Sequence, residues 1–181
     1  MPPSTVPETN ILRRFRRNRR GSAAAEFALV APLFFGVLFA IIELALVFFA
    51  SQILETVTQD TARLVLTGQA QNVSLTQQQF KDAVCAKLVV MFDCVNGVFV
   101  DVRSYDAFAS INLSAPVDSS NNFVNNMKYC PGKDGDVVVV RLFYQWPIFV
   151  SLLQNMSGNS RLLIATAAFR NEPFGSTAPT P

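Results

Sequence analysis

Hydrophobic positions are concentrated in one long run near the beginning of the chain. Residues 27–42 carry no charge and, at ~1.5 Å per residue, would form roughly 24 Å of helix. Glu43 interrupts the run, and residues 44–54 then continue it without a charge. As a helix, residues 27–54 are long enough to cross a hydrocarbon core of about 30 Å. The pattern therefore predicts a transmembrane helix.

The spacing of mostly apolar residues after the membrane segment predicts that this helix continues. A stripe recurs at intervals of three and four residues, at Leu54, Val57, Thr61, Leu64 and Val65. Gly68 suits the C-terminal cap. One helix over residues 22–67 would be roughly 69 Å long, which exceeds the bilayer. We therefore expect its outer half to pack on a soluble domain.

Shorter elements are predicted after this helix. Thr76 and Gln79 fit a capping box at the start of an amphipathic helix that extends to about Met91. A turn signal follows at residues 96–97. Residues 98–108 then alternate between apolar and polar positions, which predicts a first strand.

The rest of the chain predicts two more strands. Residues 109–135 are rich in Ser, Asn, Pro and Gly, which predicts a long loop. Residues 136–146 form the second strand, and Pro147 can open a short helix through Leu153. Residues 161–170 form the third strand. These strands make up a small antiparallel sheet.

Positive charge is concentrated ahead of the apolar run. Residues 1–21 hold six arginines and one glutamate, a net charge of +5, whereas the remaining residues sum to −3. The arginines are Arg13, Arg14, Arg16, Arg17, Arg19 and Arg20. The positive-inside rule places this end in the cytoplasm and sends the soluble domain outward. Because the folded part is not basic, nucleic acid is not an expected partner.

These features divide the chain into four parts. We expect a basic cytoplasmic leader at residues 1–21, a transmembrane helix at 22–67, a periplasmic α+β domain at 68–170 and a disordered tail at 171–181. The predicted fold class is therefore α+β. It combines a long N-terminal transmembrane helix with a sheet of about three strands and short helices.

The composition argues against catalysis. The chain has no histidine, the commonest general base and metal ligand, and its three cysteines are too few for a four-ligand zinc site. No nucleophile elbow, phosphate loop or zinc-protease motif occurs. Four carboxylates are interpreted as solvated strand faces and turns, at Asp101, Asp106, Asp134 and Asp136. We expect neither an enzyme nor a cofactor nor a metal site.

A cleavable secretory signal peptide is the first alternative for the apolar run. The apolar core of such peptides has about 7–15 residues, and no clean small-x-small site follows here because Phe48 lies two residues before Ala50. A carboxylate at the membrane centre costs roughly 2.5–3.5 kcal/mol, so Glu26 and Glu43 would be unexplained costs. A simple uncleaved signal anchor is the stronger alternative.

A distinctive motif stands at the head of the apolar run. Gly21 is followed by four small uncharged residues, then Glu26 and Phe27. This order, after an arginine cluster, resembles the cleavage motif of type IV prepilins. The resemblance implies that a membrane aspartyl peptidase cuts between Gly21 and Ser22 and that the carboxylate of Glu26 meets the new N-terminal amine of a neighbouring subunit. The plainer alternative is a glutamate in the first helical turn, which the macrodipole favours.

The residues that follow resemble one particular family more closely. The chain has AEFALVAPL at residues 25–33, IIEL at 41–44, LE at 54–55 and DTAR at 60–63. Together these segments resemble TadE-like proteins, the pseudopilins of Flp/Tad pilus systems. The resemblance covers about residues 20–64 and includes both membrane glutamates.

The resemblance implies a pseudopilin or minor pilin that is needed to assemble a Flp/Tad-type pilus. Its partners would be the prepilin peptidase, the major Flp pilin, other pseudopilins and platform proteins of the inner membrane. Assembly would use Glu26, Phe27 and Glu43. The protein would cross the bacterial inner membrane once, with its C-terminal domain in the periplasm, or be incorporated in the pilus. The alternative function is an uncleaved, signal-anchored periplasmic scaffold.

Two residues interrupt the regular apolar helix. Pro32 removes one backbone hydrogen bond, so we expect a bend nearby. Glu43 has two interpretations from the sequence. It pairs with a cation on another subunit, or it lies at the outer membrane interface.

The cysteines lie in the domain assigned to an oxidising periplasm, so we expect one disulfide and one remaining thiol. A Cys85–Cys94 bridge needs a chain reversal after about Val90, because the Cα atoms must come within about 7 Å. A Cys94–Cys130 bridge would join the starts of the first two strands, and unbridged thiols are the third possibility. The family resemblance favours Cys85–Cys94.

Overall fold

The protein consists of one very long helix followed by short helices and a three-stranded sheet. A computed structural model describes residues 21–88, 91–114, 116–118, 123–150, 154 and 159–175. The helices are α1 (Ser22–Leu66), α2 (Gln69–Asn72), α3 (Gln77–Cys85) and α4 (Cys94–Gly97). The strands are β1 (Val98–Tyr105), β2 (Val137–Pro147) and β3 (Ser160–Arg170), with a 3-10 turn at Phe108–Ser110. The predicted α+β class is confirmed.

The chain divides into two compact units, residues 1–42 and residues 43–181. The described part of the first unit is the N-terminal half of α1, which contains Pro32. Its large apolar side chains are exposed, with Leu29 at 82% and Leu33 at 74%. By length and composition, α1 can cross a membrane. An apolar surface of this extent needs an apolar surrounding.

The sheet of the second unit is antiparallel throughout. Its order is β1-β2-β3, so β2 is the central strand, and Asp101 of β1 lies opposite Arg141 of β2. On the other side, Val140 of β2 lies opposite Ala167 of β3. Because strand side chains alternate between faces, this register puts one apolar set on one face of the sheet.

The core of the second unit joins that face to one stripe of α1. The strands contribute Val98, Val100, Val102, Val138, Val140, Leu142, Leu163, Ala165 and Ala167. The helix contributes Val47, Ala50, Leu54, Val57, Ala62 and Val65. These helical positions recur at intervals close to 3.6 residues, which keeps them on one face. The predicted packing of the outer half of the helix on a soluble domain is confirmed.

The C-terminal end of α1 is fixed by the chain that follows β3. The backbone N–H of Glu172 donates to the carbonyl of Leu66 at 3.0 Å. Asn171 is buried, and its side chain donates to the carbonyls of Pro131 and Lys133. The first residues of the expected disordered tail therefore pack on the second unit. Residues 176–181 lie outside the described part of the chain.

Gly68 ends α1 as the sequence predicts. Its φ is +73°, a left-handed conformation that glycine adopts at low cost. A Cβ at this position would also overlap the ring of Phe174. Backbone conformation and packing both require glycine here.

Helix α3 begins as predicted and ends earlier. The Thr76 hydroxyl accepts from the Gln79 N–H, and the Gln79 side chain accepts from the Thr76 N–H, which confirms the capping box. The helix ends at Cys85 rather than near Met91 because the chain reverses there. That reversal brings the Cα atoms of Cys85 and Cys94 within 5.7 Å in a disulfide, and Cys130 is a free thiol.

Residues 128–130 pair with the outer edge of β1, which the sequence did not predict. The Val102 N–H donates to the Lys128 carbonyl, and the Cys130 N–H donates to the Val102 carbonyl, each at 2.8 Å. Tyr129 packs on Phe80 with ring centroids 5.7 Å apart, and burial raises its pKa to about 12. The pairing covers a strand edge that would otherwise expose its backbone groups.

A buried ion pair on the other face of the sheet corrects one expectation. Asp101 is not a solvated carboxylate, because its side chain is only 1% exposed. Arg141 Nη2 lies 2.6 Å and Arg103 Nε 3.0 Å from its carboxylate, and the Lys128 N–H donates to it at 2.9 Å. The two guanidinium groups also donate to the carbonyls of Ser114 and Asn126. The cluster therefore fixes the long loop to the sheet.

Replacing Asp101 by asparagine should destabilise the second unit. Removing one partner of a buried ion pair costs about 3–5 kcal/mol, because Arg141 would keep a buried charge without its carboxylate. Denaturant titration in detergent, followed by near-UV circular dichroism, measures the change. The exposed Asp106 provides the control, since Asp106→Asn should change the unfolding free energy by less than about 0.5 kcal/mol. Equal effects of the two substitutions would contradict the assignment.

Candidate functional site: the carboxylates of the apolar helix

The predicted cleavage point coincides with the start of α1. The helix begins at Ser22, directly after the exposed Gly21. Apart from its chain neighbours, no atom of the described residues lies within 4 Å of a Cβ built on Gly21. The leader before it, with all six arginines, lies outside the described residues.

Glu26 is an exposed carboxylate on the first unit. It is the fifth residue of α1, and the first turn holds no acidic residue. Glu26 therefore lies just beyond the first turn of the helix. Within the described part of the chain, no group forms a hydrogen bond or an ion pair with it. The neighbouring Phe27 is 65% exposed, so carboxylate and ring are both accessible at the head of the helix.

Glu43 is in the opposite situation, because it is buried with both oxygens satisfied. The residue is only 5% exposed. Its Oε1 accepts from the backbone N–H of Phe149 at 2.7 Å, and its Oε2 accepts from the backbone N–H of Val150 at 2.8 Å. These partners are neither a cation nor bulk water. They belong to the same unit of the same chain.

The direction of β2 brings these donors to Glu43. From Glu43 to Leu66 the helix rises about 35 Å, and the residues of β2 span nearly the same length at about 3.3 Å each. The start of β2 lies near the Leu66 end, since Val137 pairs with Arg170 and Glu172 bonds to Leu66. The chain leaving β2 therefore arrives at Glu43.

Pro147 has a different role from the predicted one. It is the last residue of β2, opposite Ser160, rather than the first residue of a helix. The pairing continues by one bond, because the Ile148 N–H donates to the Asn159 carbonyl at 3.1 Å. Residues 151–153 of the predicted helix lie outside the described part. The two N–H groups after Ile148 leave the ladder and turn to the carboxylate.

The two hydrogen bonds explain how a carboxylate can occupy an apolar helix. An ionised carboxylate loses several kcal/mol of hydration on burial unless donors replace the water. Hydrogen bonds to a charged group contribute about 1.5–3 kcal/mol each. Glu43 thereby links α1 to the segment 148–150, hereafter the β2 exit segment. Sequence reasoning missed this link because the donors are backbone groups, which every residue except proline carries.

The other candidate carboxylates do not form a shared site. Asp136 accepts from the Lys133 N–H within its own loop, whereas Asp134 accepts from the Gly175 N–H of the chain that follows β3. Asp106 is exposed. Within the described ranges, no group of three or more His, Cys, Asp or Glu residues could hold a metal ion.

The residues that distinguish α1 match a known family. Residues 21–63 fit the model of the TadE-like protein family. This segment is TadE-like. The match covers about a quarter of the chain, begins at Gly21 and includes both Glu26 and Glu43. It is consistent with a TadE-like protein of Flp/Tad pilus systems.

No curated protein matches the chain, and no solved structure matches it. The sheet and short helices of the second unit are therefore known only from their own packing and hydrogen bonding. The TadE-like segment ends near the point where α1 ends. The family match therefore gives information about α1 and not about the sheet.

Replacing Glu43 by glutamine should loosen the β2 exit segment. An amide offers one acceptor oxygen, so one of the two N–H groups of Phe149 and Val150 would be left unpaired at a cost of about 1–3 kcal/mol. We expect faster hydrogen exchange at these two amides, measured by mass spectrometry in detergent. Glu55→Gln is the matched control on the same helix, since the carboxylate of Glu55 bonds only to the exposed Gln59 side chain at 3.1 Å. Unchanged exchange in the Glu43 variant would refute the link.

Proposed function

We propose that this protein is a pseudopilin or minor pilin of a Flp/Tad-type pilus. It is inserted with its N-terminus in the cytoplasm, cut after Gly21 by a prepilin peptidase and assembled with other subunits through the apolar helix. The observation that carries the proposal is Glu26, which is exposed and has no partner among the described residues, near the head of a TadE-like helix that begins directly after Gly21.

The first support is the position of the cleavage point relative to the helix. A peptidase needs an extended backbone, and a helix protects its own peptide bonds by intrahelical hydrogen bonding. Gly21 lies directly before the first residue of α1 and is exposed, so a peptidase would need to unwind only the very start of the helix to reach this bond. Cutting here would remove the arginine cluster and leave a helix whose N-terminal half carries apolar side chains on its surface.

The second support is the contrast between the two glutamates. Glu43 has its donors within the chain, whereas Glu26 has no partner among the described residues. A carboxylate in low dielectric requires an opposite charge or donors. Cleavage would create an α-ammonium group at Ser22. In an array of subunits, that group on one chain can pair with Glu26 of its neighbour.

The proposed partners follow from this scheme. The peptidase acts on the Gly21–Ser22 bond, and the major Flp pilin and other pseudopilins pack along the apolar helix beside Phe27. Platform proteins of the inner membrane receive the processed chain. The second unit lies on the periplasmic side of the membrane, and Glu43 holds the helix to the sheet during assembly.

Processing should remove residues 1–21 only in cells that contain a prepilin peptidase. The intact mass of the membrane-purified protein measures this directly. Gly21→Val should retain the full leader, because the valine side chain blocks the close approach to the backbone that glycine allows. Gly36→Val is the matched control, since Gly36 also has open space around it but lies inside the helix. A leader that persists in wild-type protein from peptidase-positive cells would favour the uncleaved scaffold instead.

Replacing Glu26 by glutamine should separate processing from assembly. The variant keeps its shape and its cleavage site, so we expect normal loss of the leader. It lacks the charge that would meet the new amine, so we expect loss of pilus formation, measured by electron microscopy of cells. Glu55→Gln, on the same helix, should leave pili intact. Normal pili in the Glu26 variant would contradict the assembly role.

A further inference from the structure

The β2 exit segment carries an exposed aromatic ring beside Glu43. Phe149 is 69% exposed, whereas Ile148 before it is only 7% exposed. The backbone N–H of Phe149 is bonded to Glu43, so the ring lies close to the level of residue 43 along α1. The ring is held in place by a buried backbone hydrogen bond, and whether it belongs to a larger apolar surface depends on the neighbouring face of α1.

The surface of α1 shows what surrounds that level. Beyond Glu43 the exposed face of the helix stays apolar for about two turns, with Leu44 42%, Leu46 39%, Phe48 70% and Phe49 56% exposed. It then becomes polar, with Gln52, Thr56, Gln59 and Asp60 exposed. The boundary therefore follows Phe49. Six residues separate it from Glu43, a rise of about 9 Å along the axis.

We propose that the β2 exit segment is embedded in the outer leaflet of the membrane, with Phe149 in contact with acyl chains. The inference rests on the membrane orientation proposed above. If lipid covers the apolar face of α1 up to Phe49, the level of Glu43 lies about 9 Å below that boundary. Phe149, bonded at that level, then lies below it too. The second unit would stand partly inside the bilayer rather than above it.

A position in the outer leaflet explains why Glu43 needs its two hydrogen bonds. In the hydrocarbon region no water satisfies a free carboxylate or a free backbone N–H group. The carboxylate and the N–H groups of Phe149 and Val150 satisfy one another. Irregular backbone is tolerated at membrane depth only where its polar groups are paired by the protein. The segment meets that condition: its three N–H groups donate to Asn159 and Glu43, and the carbonyls of Ile148 and Val150 accept from Gln154.

The charge at the base of the segment fits the same depth. Arg161 is exposed, and it lies opposite Trp146 in the sheet. Trp146 precedes Phe149 by three residues. Three residues of chain span at most about 10 Å, close to the 9 Å that separates Glu43 from the boundary on α1. A guanidinium group at that height suits the phosphates of the lipid head groups. The length of this segment therefore allows Arg161 to lie near the boundary that the helix gives.

Tryptophan quenching by brominated lipids tests the placement. The single tryptophan of the chain is first replaced in Trp146→Phe, and Phe149→Trp is then introduced into the full-length protein in phosphatidylcholine–phosphatidylglycerol vesicles. We expect blue-shifted emission and loss of most of the fluorescence when the phosphatidylcholine carries bromine at shallow acyl positions. Emission at the wavelength typical of water, without quenching, would overturn the inference.

Two further variants make the outcome specific. Val73→Trp is the matched control, since Val73 is also 69% exposed but lies beyond the far end of α1, and it should not be quenched. Phe35→Trp, within the apolar run, reports membrane insertion itself. If Phe35→Trp escapes quenching, the proposed anchoring fails. If Phe35→Trp is quenched and Phe149→Trp is not, only the present inference fails, and quenching at Val73 would also overturn it.

A measurement on the wild-type protein removes any dependence on folding of the variants. A photoreactive diazirine in the acyl chains of the same vesicles labels residues that touch the hydrocarbon region. We expect label on the peptide that contains Phe149 and none on the peptide that contains Val73. The reverse distribution would refute the placement.

Discussion

The structure of the second unit depends on how an apolar helix can bury a carboxylate and still pack on the sheet. Glu43 stands where the uncharged run of α1 ends and where its contact with the sheet begins. Charge in an apolar setting requires donors, and two backbone N–H groups at the exit of β2 provide them. The same bonds set how far along α1 the sheet lies. A packing stripe alone would be less selective, because neighbouring turns of α1 present similar apolar residues.

The two glutamates of the TadE-like segment illustrate how context separates similar residues. Both interrupt apolar sequence. Sequence reasoning assigned Glu26 to a contact with a neighbouring subunit and left Glu43 between such a contact and the outer membrane interface. In the structure Glu43 is committed within its own chain, whereas Glu26 is exposed. A residue that is satisfied locally stabilises the subunit. A residue without local donors remains available for a partner, and this difference underlies the proposed assembly.

Sequence patterns predicted the regular elements well because those elements follow periodic rules. The stripe of α1, the alternation of β1, the capping box at Thr76 and the cap at Gly68 each depend on residues close in sequence. The missed features join distant parts of the chain. The ion pair of Asp101 with Arg141 arises from strand register, and the donors to Glu43 are backbone groups more than a hundred residues away. Neither leaves a local signal.

The part of α1 that packs on the sheet is attached at both of its ends, and this has a mechanical consequence. Glu43 is held near one end of the packed stripe and Leu66 at the other. A pull along the axis of α1 would have to slide the whole stripe past the sheet, because close-packed side chains resist such motion together. Such shear distributes the force over many contacts at once, whereas peeling would break them in sequence. The geometry suits a subunit that transmits tension from its helix to its sheet.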